Sequence, residues 1–299
     1  MRSLVLTVAP EDDWRLIGRV ARGRLGVSAR QLTRAKFSDL LLLDGKSVHA
    51  DHPVRAGQVI TVVIADEEPA FEARPEYEAV NIVFEDEDIF VVDKPAPLAT
   101  QSSPKQPDNT LENRLAGYFG DSSFIFRPVN RLDKGTSGLM AAAKNAHAQM
   151  LLAKQLHTPD FVREYLAVTE GVPCPDKGRI DLPIGKMDGA TVRREIRPDG
   201  KPSATNYEVL AAHDRLALVR LRLETGRTHQ IRVHMAAISC PVYGDFLYGV
   251  ERPGELSERF ALHSAKMRFI HPLSGKEMTF SSPLPPELSR LVGKDFFLL

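Results

Sequence analysis

Residues Arg131-Leu132-Asp133-Lys134-Gly135-Thr136-Ser137-Gly138-Leu139 constrain this chain more than any other stretch. An Arg and an Asp stand two residues apart, and two glycines and two hydroxyl residues follow. The run 139–143 then reads as a buried strand. Glycine opens backbone conformations closed to other residues and lets a ligand approach the main chain. A solvated surface loop has no use for that density of special residues, whereas a carboxylate held for chemistry does. The plainer alternative is an Asp that pairs with Arg131 or caps a turn.

The strand leaving this loop has company. Residues 82–84 and 89–92 flank a polar turn, a hairpin pattern, and 163–168, 204–210 and 216–223 also read as strands. Helical spacing is confined to 110–118, 146–157 and 229–238. Strands joined by short turns, with helices outside, predict an α+β fold with a mixed, mainly antiparallel central sheet and flanking helices.

Before residue 65 the pattern differs. Residues 14–24 read as a helix, Ser28 as the N-cap of a second short one, Asp44-Gly45 as a hairpin turn and 58–64 as a strand. The stretch 65–75 is acidic, polar and carries two prolines, which is linker chemistry. The expected division is a small α+β domain over 1–66, an acidic linker over 67–78 and a larger domain over 79–299.

Composition excludes some classes. With 299 residues, 43% hydrophobic and 26% charged, the chain fits a soluble globular protein with a sizeable core. It has no apolar run near the roughly 20 residues of a membrane span, and no secretory signal is visible at its start. Cys174 and Cys240 do not make a disulfide framework, so the cytoplasm is the expected compartment.

A formal net charge of zero hides an uneven spread. Every charged side chain over 14–36 is basic, while 66–88 is mostly acidic. A basic segment of this kind suits RNA phosphates as well as it suits a solvated helix face. A second basic run, Arg193-Arg194-Glu195-Ile196-Arg197, reads as a turn-rich grip for phosphates or as a solvated hairpin tip.

Two resemblances sharpen these readings. Leu25-Gly26-Val27-Ser28-Ala29-Arg30-Gln31-Leu32, Leu43-Asp44-Gly45-Lys46 and Arg55-Ala56-Gly57-Gln58-Val59-Ile60 resemble the small RNA-binding domain named for ribosomal protein S-four. Lys36-Phe37-Ser38-Asp39 stands where that family turns through a glycine. The resemblance implies RNA contacts at Arg30, Gln31, Arg34, Lys36 and Lys46, with Arg193 and Arg194 adding to them.

The 131–139 motif resembles the signature of the RluA-type pseudouridine synthases. Val91-Val92-Asp93-Lys94-Pro95, Arg163-Glu164-Tyr165-Leu166-Ala167, Leu223 through His234 and Leu262-His263-Ser264 match further blocks of that family in order. The resemblance implies that Asp133 is a nucleophilic carboxylate and Arg232 its partner. It places Tyr165 against the uracil ring and Arg131 where the target base leaves the stack. Thr136, Lys94, Arg227, His229, Ile231 and His263 are implied substrate-binding residues.

Physical chemistry suits these roles. A carboxylate must be ionised to attack, and a guanidinium both favours that form and grips it bidentately. An aromatic platform for a flipped base is worth about 1–3 kcal/mol. Each residue has a plainer alternative: Tyr165 as core packing, Arg232 as a helix-surface ion pair. Asn130, where the family carries a His, and Pro97, where it carries a Gly, depart from the pattern.

The implied reaction breaks the bond from ribose to nitrogen 1 of uracil, turns the base and rejoins it through carbon 5. Nothing is oxidised and no group is imported, so no cofactor or metal is expected. His229 and His234 stand five apart without a Glu at metal-ligand spacing. The carboxylate's first step stays open between the anomeric carbon, the ring and a sugar proton. The target must lie outside a stack, so the expected partner is structured RNA, ribosomal before transfer RNA, met by a monomer. Two rivals are a non-catalytic RNA-binding or ribosome-assembly factor and a glycosidic hydrolase. The hydrolase needs a second acid, and Glu164 and Glu224 sit among basic neighbours that suggest ion pairs.

Overall fold

The computed structural model describes residues 2–64, 73–120, 124–190, 192–256, 258–293 and 297–298. Residues 67–72 of the expected linker and the side chain of Lys36 lie outside the described residues.

The N-terminal segment builds a four-stranded antiparallel sheet in the order Arg2–Thr7, Val59–Ile64, Leu41–Leu43, Lys46–Ser47. Helices α1 (Ile17–Arg24) and α2 (Ala29–Phe37) cover it. Ile60, Val62 and Ile64 alternate inward and meet Ile17, Val20, Leu32 and Leu41 in one apolar cluster. Ser28 caps α2 as expected: its hydroxyl accepts the Gln31 N–H at 3.1 Å, and Gln31 Oε1 accepts the Ser28 N–H at 2.9 Å. Asp44 and Gly45, at φ 49° and 79°, make the two-residue left-handed turn that suits a hairpin's twist.

Two local expectations need correction. The first helix starts at Ile17 rather than Trp14, because Trp14 sits at φ 61° and a left-handed residue cannot continue a right-handed helix. Its ring lies 3.2 Å from the Arg55 guanidinium carbon instead. The basic face over 14–36 is also thinner than its sequence suggests. Arg15 and Arg24 both bond Asp12, which is buried, and the Asp12 hydrogen bond holds the Arg24 pKa above its usual value.

The larger sheet has eleven strands among the described residues. Its main path runs Lys177–Asp181, Ala204–His213, Leu216–Leu223, Val162–Glu170, Leu262–Ile270, Ser137–Ala143, Ile89–Lys94, Asn81–Glu85. Neighbours are antiparallel except where Leu262–Ile270 meets Ser137–Ala143, pairing His263 with Ser137 and Ser264 with Gly138 in parallel. The expected mixed, mainly antiparallel α+β fold is therefore what forms.

Ser137–Ala143 is buried along its whole length because both its faces are covered. Met140 and Ala142 join a cluster with α3 (Leu111–Phe119) and α5 (Gln230–Ala237), while Leu139, Ala141 and Ala143 join another with α4 (Ala146–Gln155). Gly138, at φ 107°, has no room for a side chain: a Cβ there would lie 2.3 Å from the Ser264 carbonyl oxygen. The parallel pairing thus requires this glycine, and it fixes where the 131–137 loop emerges.

His147, His234 and His263 are each within 1% of full burial, and burial lowers the pKa of all three below 6.5. Below that value the unfolded chain takes up protons that the native imidazoles resist, so stability is lost as pH falls from about 6.5. The urea midpoint is expected to drop clearly between pH 7.5 and 5.5, a range in which ordinary carboxylates stay ionised. An unchanged midpoint over that range would contradict neutral burial of these side chains.

Candidate active site

Asp133 opens into a cleft of about 730 Å³ whose wall includes Arg131, Thr136, Tyr165, Arg227, His229 and Arg232. The 131–137 loop is tied down by its own backbone. The Leu98 N–H donates to the Lys134 carbonyl at 2.9 Å, the Thr136 N–H to the Asp133 carbonyl at 3.1 Å, and the Thr100 hydroxyl to the Leu132 carbonyl at 2.6 Å. Gly135 lets the loop lie on Phe260, whose ring edge is 2.7 Å from where a Cβ would stand. The Asp133 side chain remains 27% exposed, which leaves it open to a substrate.

Arg232 is not the surface helix arginine that its position alone suggests; it is 2% exposed. Its Nε and Nη2 donate to Asp245 at 2.6 and 2.8 Å, and its Nη1 donates to Asp133 Oδ2 at 3.1 Å. The guanidinium carbon sits 4.0 Å from the centroid of the Phe260 ring. Burial works against the Arg232 charge, but Asp245 and then Asp133 outweigh it and keep the pKa above its usual value. Asp245 is fully buried and also accepts the N–H groups of Leu247 and Tyr248. A fork fastened on one edge thus presents its free nitrogen to the partly exposed carboxylate.

Asp245 and Tyr248 are the residues that reading the sequence missed. Gly244-Asp245-Phe246-Leu247-Tyr248-Gly249 repeats the grammar of the first motif, an acid between glycines, and that was the available signal. The Tyr248 hydroxyl accepts the Arg194 N–H at 2.8 Å and shares a hydrogen with His229 Nδ1 at 2.8 Å. His229 sits at φ 58° before α5, with its Nε2 3.9 Å from Asp133 Oδ2. Burial, aided by Arg232, lowers the His229 pKa against the pull of Asp133.

The other expected residues divide. Tyr165 is buried in the cleft wall, where burial raises its hydroxyl pKa. Ile231 and Thr136 line the cleft, Arg131 is exposed at it, and the Arg227 Nε bonds the Pro202 carbonyl. Lys94 and His263 do not line the cleft. Lys94 is fully buried, and its ammonium donates to the carbonyls of Leu98 at 2.6 Å, Pro95 at 3.0 Å and Lys134 at 3.4 Å. Burial lowers its pKa to about 7. His263 bonds the Ser137 hydroxyl at 2.9 Å and the Ser282 carbonyl at 3.2 Å. Both hold the loop from behind.

Lys94→Met is accordingly expected to lower kcat about 100-fold while RNA affinity changes little, because a loop displaced by about 1 Å loses its reacting geometry. Steady-state rates beside filter-binding affinities check this. A loss confined to affinity would return Lys94 to the substrate.

Among the expected RNA contacts, Arg30, Gln31 and Arg34 border a second cleft of about 310 Å³ against Ala146, Gln149 and Met150 of α4, and Gln149 also lines the main cleft. Gln31 spends its carbonyl on the α2 cap. Lys46 is exposed, and Arg193 lies over the Tyr248 ring. Arg197, in the same basic run, bonds Asp188 and Asp199. Glu164 pairs with Arg222 and Glu224 with Arg179, so neither is a second acid at Asp133. Asp86, Asp88 and His271 lie close enough together to share a metal ion, but their oxygen and nitrogen atoms already bond protein groups and none lines the cleft.

A carboxylate, a clamped guanidinium and a tyrosine thus share the wall of one open cleft. The family model described as RNA pseudouridylate synthase matches residues 88–237. The chain is 35% identical over 273 residues to an uncharacterized RNA pseudouridine synthase of Bacillus subtilis, YjbO, covering 90% of this chain and 96% of that protein. It is 39% identical over 244 residues to ribosomal large subunit pseudouridine synthase D of Escherichia coli, covering 76% of this chain and 73% of the relative. The human RNA pseudouridylate synthase domain containing 1 matches with a TM-score of 0.57 and 29% identity over 74% of this chain and 89% of that one.

The chain belongs to the RNA pseudouridine synthase family, in its RluA-type branch. It is an isomerase that converts uridine to pseudouridine in RNA. Among the described residues no helix is long and apolar enough to cross a membrane.

Proposed function

We propose that this protein modifies specific uridines of large-subunit ribosomal RNA, with Asp133 as the nucleophile and without cofactor or metal. The observation that carries the reading is the Asp133–Arg232–Asp245 chain: one partly exposed carboxylate receives the free edge of a buried, pre-aimed guanidinium. The Arg232 guanidinium holds the Asp133 carboxylate in place for attack and steadies it as the leaving group when the base rejoins. Tyr165 stacks on the flipped uracil, and Arg131 enters the helix in its place. Thr136, Arg227, His229 and Ile231 shape the rest of the pocket. The ribosomal assignment draws support from relatives that act on the large subunit.

Residues 1–66 are proposed to form an RNA-binding domain of the S-four kind, joined by the 67–78 linker to a catalytic domain over 79–299. Its own apolar cluster, capped α2 and left-handed Asp39 (φ 54°) where that family has glycine support the reading. The enzyme works as a monomer in the cytoplasm, using Arg30, Arg34, Lys36, Lys46, Arg193 and Arg194 against RNA phosphates. Pseudouridine mapping of total RNA from cells with and without the gene tests the substrate. Sites lost only from large-subunit RNA support it, and sites lost only from transfer RNA move the assignment there.

A further inference from the structure

Arg163 is a buried charge without a counter-charge. The side chain lies in the wall of the cleft, on the same strand face as Tyr165, and the residue is only 5% exposed. Its Nη2 makes one long bond, 3.3 Å to the Leu156 carbonyl, and its Nε has no hydrogen-bond partner. Among the described residues no carboxylate pairs with it, and the Phe161 ring centroid lies 6.0 Å from its guanidinium carbon. By contrast Arg232, equally buried in the same cleft, holds two carboxylates. Burying a guanidinium is costly unless it is paired and fully hydrogen-bonded, so one kept without a partner calls for a ligand.

The surroundings say what the missing partner is. Gly226 leaves the space that Arg163 needs, since a Cβ there would stand 3.0 Å from Arg163 Nη1. Arg227 and Thr228 follow Gly226 directly and line the same cleft, and neither is an acid. A rigid, always-charged fork beside neutral donors fits the oxygens of a phosphodiester, which it can take bidentately. A base would leave the charge uncompensated. We infer that Arg163 is the binding site for a backbone phosphate of the RNA strand that carries the target uridine, seated next to the base stacked on Tyr165. The inference rests on the RNA-modifying reading above and adds where the strand is held. RNA binding then supplies the counter-charge that the free enzyme lacks.

The free protein therefore gives up stability to keep this site. Arg163→Met removes an unpaired buried charge, so its melting temperature is expected to equal or exceed that of wild type. Its affinity for deproteinised large-subunit ribosomal RNA, isolated from cells lacking the gene, is expected to fall at least about tenfold at 0.1 M salt. The slope of log affinity against log salt should flatten by about one phosphate's share, roughly 0.7–0.9. Arg163→Lys keeps the charge and should keep the slope. Binding is measured in the Asp133→Asn background, so turnover does not enter.

A slope equal to wild type in Arg163→Met overturns the inference, whatever happens to stability. A flattened slope in both Met and Lys variants does the same, because charge would then not be the cause. Wild-type protein that binds the RNA but forms no pseudouridine in it would count against the proposed substrate and leave the Arg163 result readable on its own.

Discussion

Replacing Asp245 by Ala is expected to destabilise the protein by about 3–5 kcal/mol, because it strands a buried guanidinium that had two hydrogen bonds to that carboxylate. In a catalytic unit of this size that is roughly a 10 °C fall in melting temperature. Activity should fall further than stability explains. At 25 °C, where the variant is still folded, kcat is expected to drop at least about 100-fold, since Arg232 loses the edge that aims its Nη1 at Asp133. Thermal melts and rates on the same preparation test both halves. A variant as stable as wild type would mean that Arg232 is held by other groups.

Asp133→Asn should do the opposite. Arg232 keeps its Asp245 clamp, Asp133 contributes a single bond at 3.1 Å, and the position is partly exposed, so stability should change by about 1 kcal/mol or less. The amide is neutral and a poor nucleophile, and pseudouridine formation should fall by about 10⁴-fold or more. RNA affinity should persist, because phosphate and stacking contacts do not depend on this carboxylate. One arginine thus links two acids whose removal has different consequences: Asp245 holds the arginine, and Asp133 uses it.

Much of this was legible in the residues, and the misses have physical causes. The buried strand after Gly138, the Ser28 cap, the Asp44-Gly45 turn and the hairpin over 81–94 follow from local rules: periodicity, capping and left-handed propensity. Asp133 and Arg232 stood out by their motifs, yet nothing local said that Arg232 is buried. That depends on Asp245 and Phe260 arriving from another part of the chain. Lys94 and His263 share the motif blocks, but a strand's residues alternate between faces, and these two bond the loop and its neighbours from behind. The basic run over 14–36 overstated the charge available for RNA because Asp12 precedes it in sequence and returns to it in space.

The most direct test of the account is single-turnover pseudouridine formation by wild-type and Asp133→Asn protein on large-subunit ribosomal RNA from cells lacking the gene, with RNA binding measured alongside. The account expects modified uridines with wild type, none above background with Asp133→Asn, and matching affinities for the two proteins. Product formed by Asp133→Asn at a rate near that of wild type would contradict it, because the chemistry would then belong to a group other than the carboxylate in the Arg131–Leu139 loop.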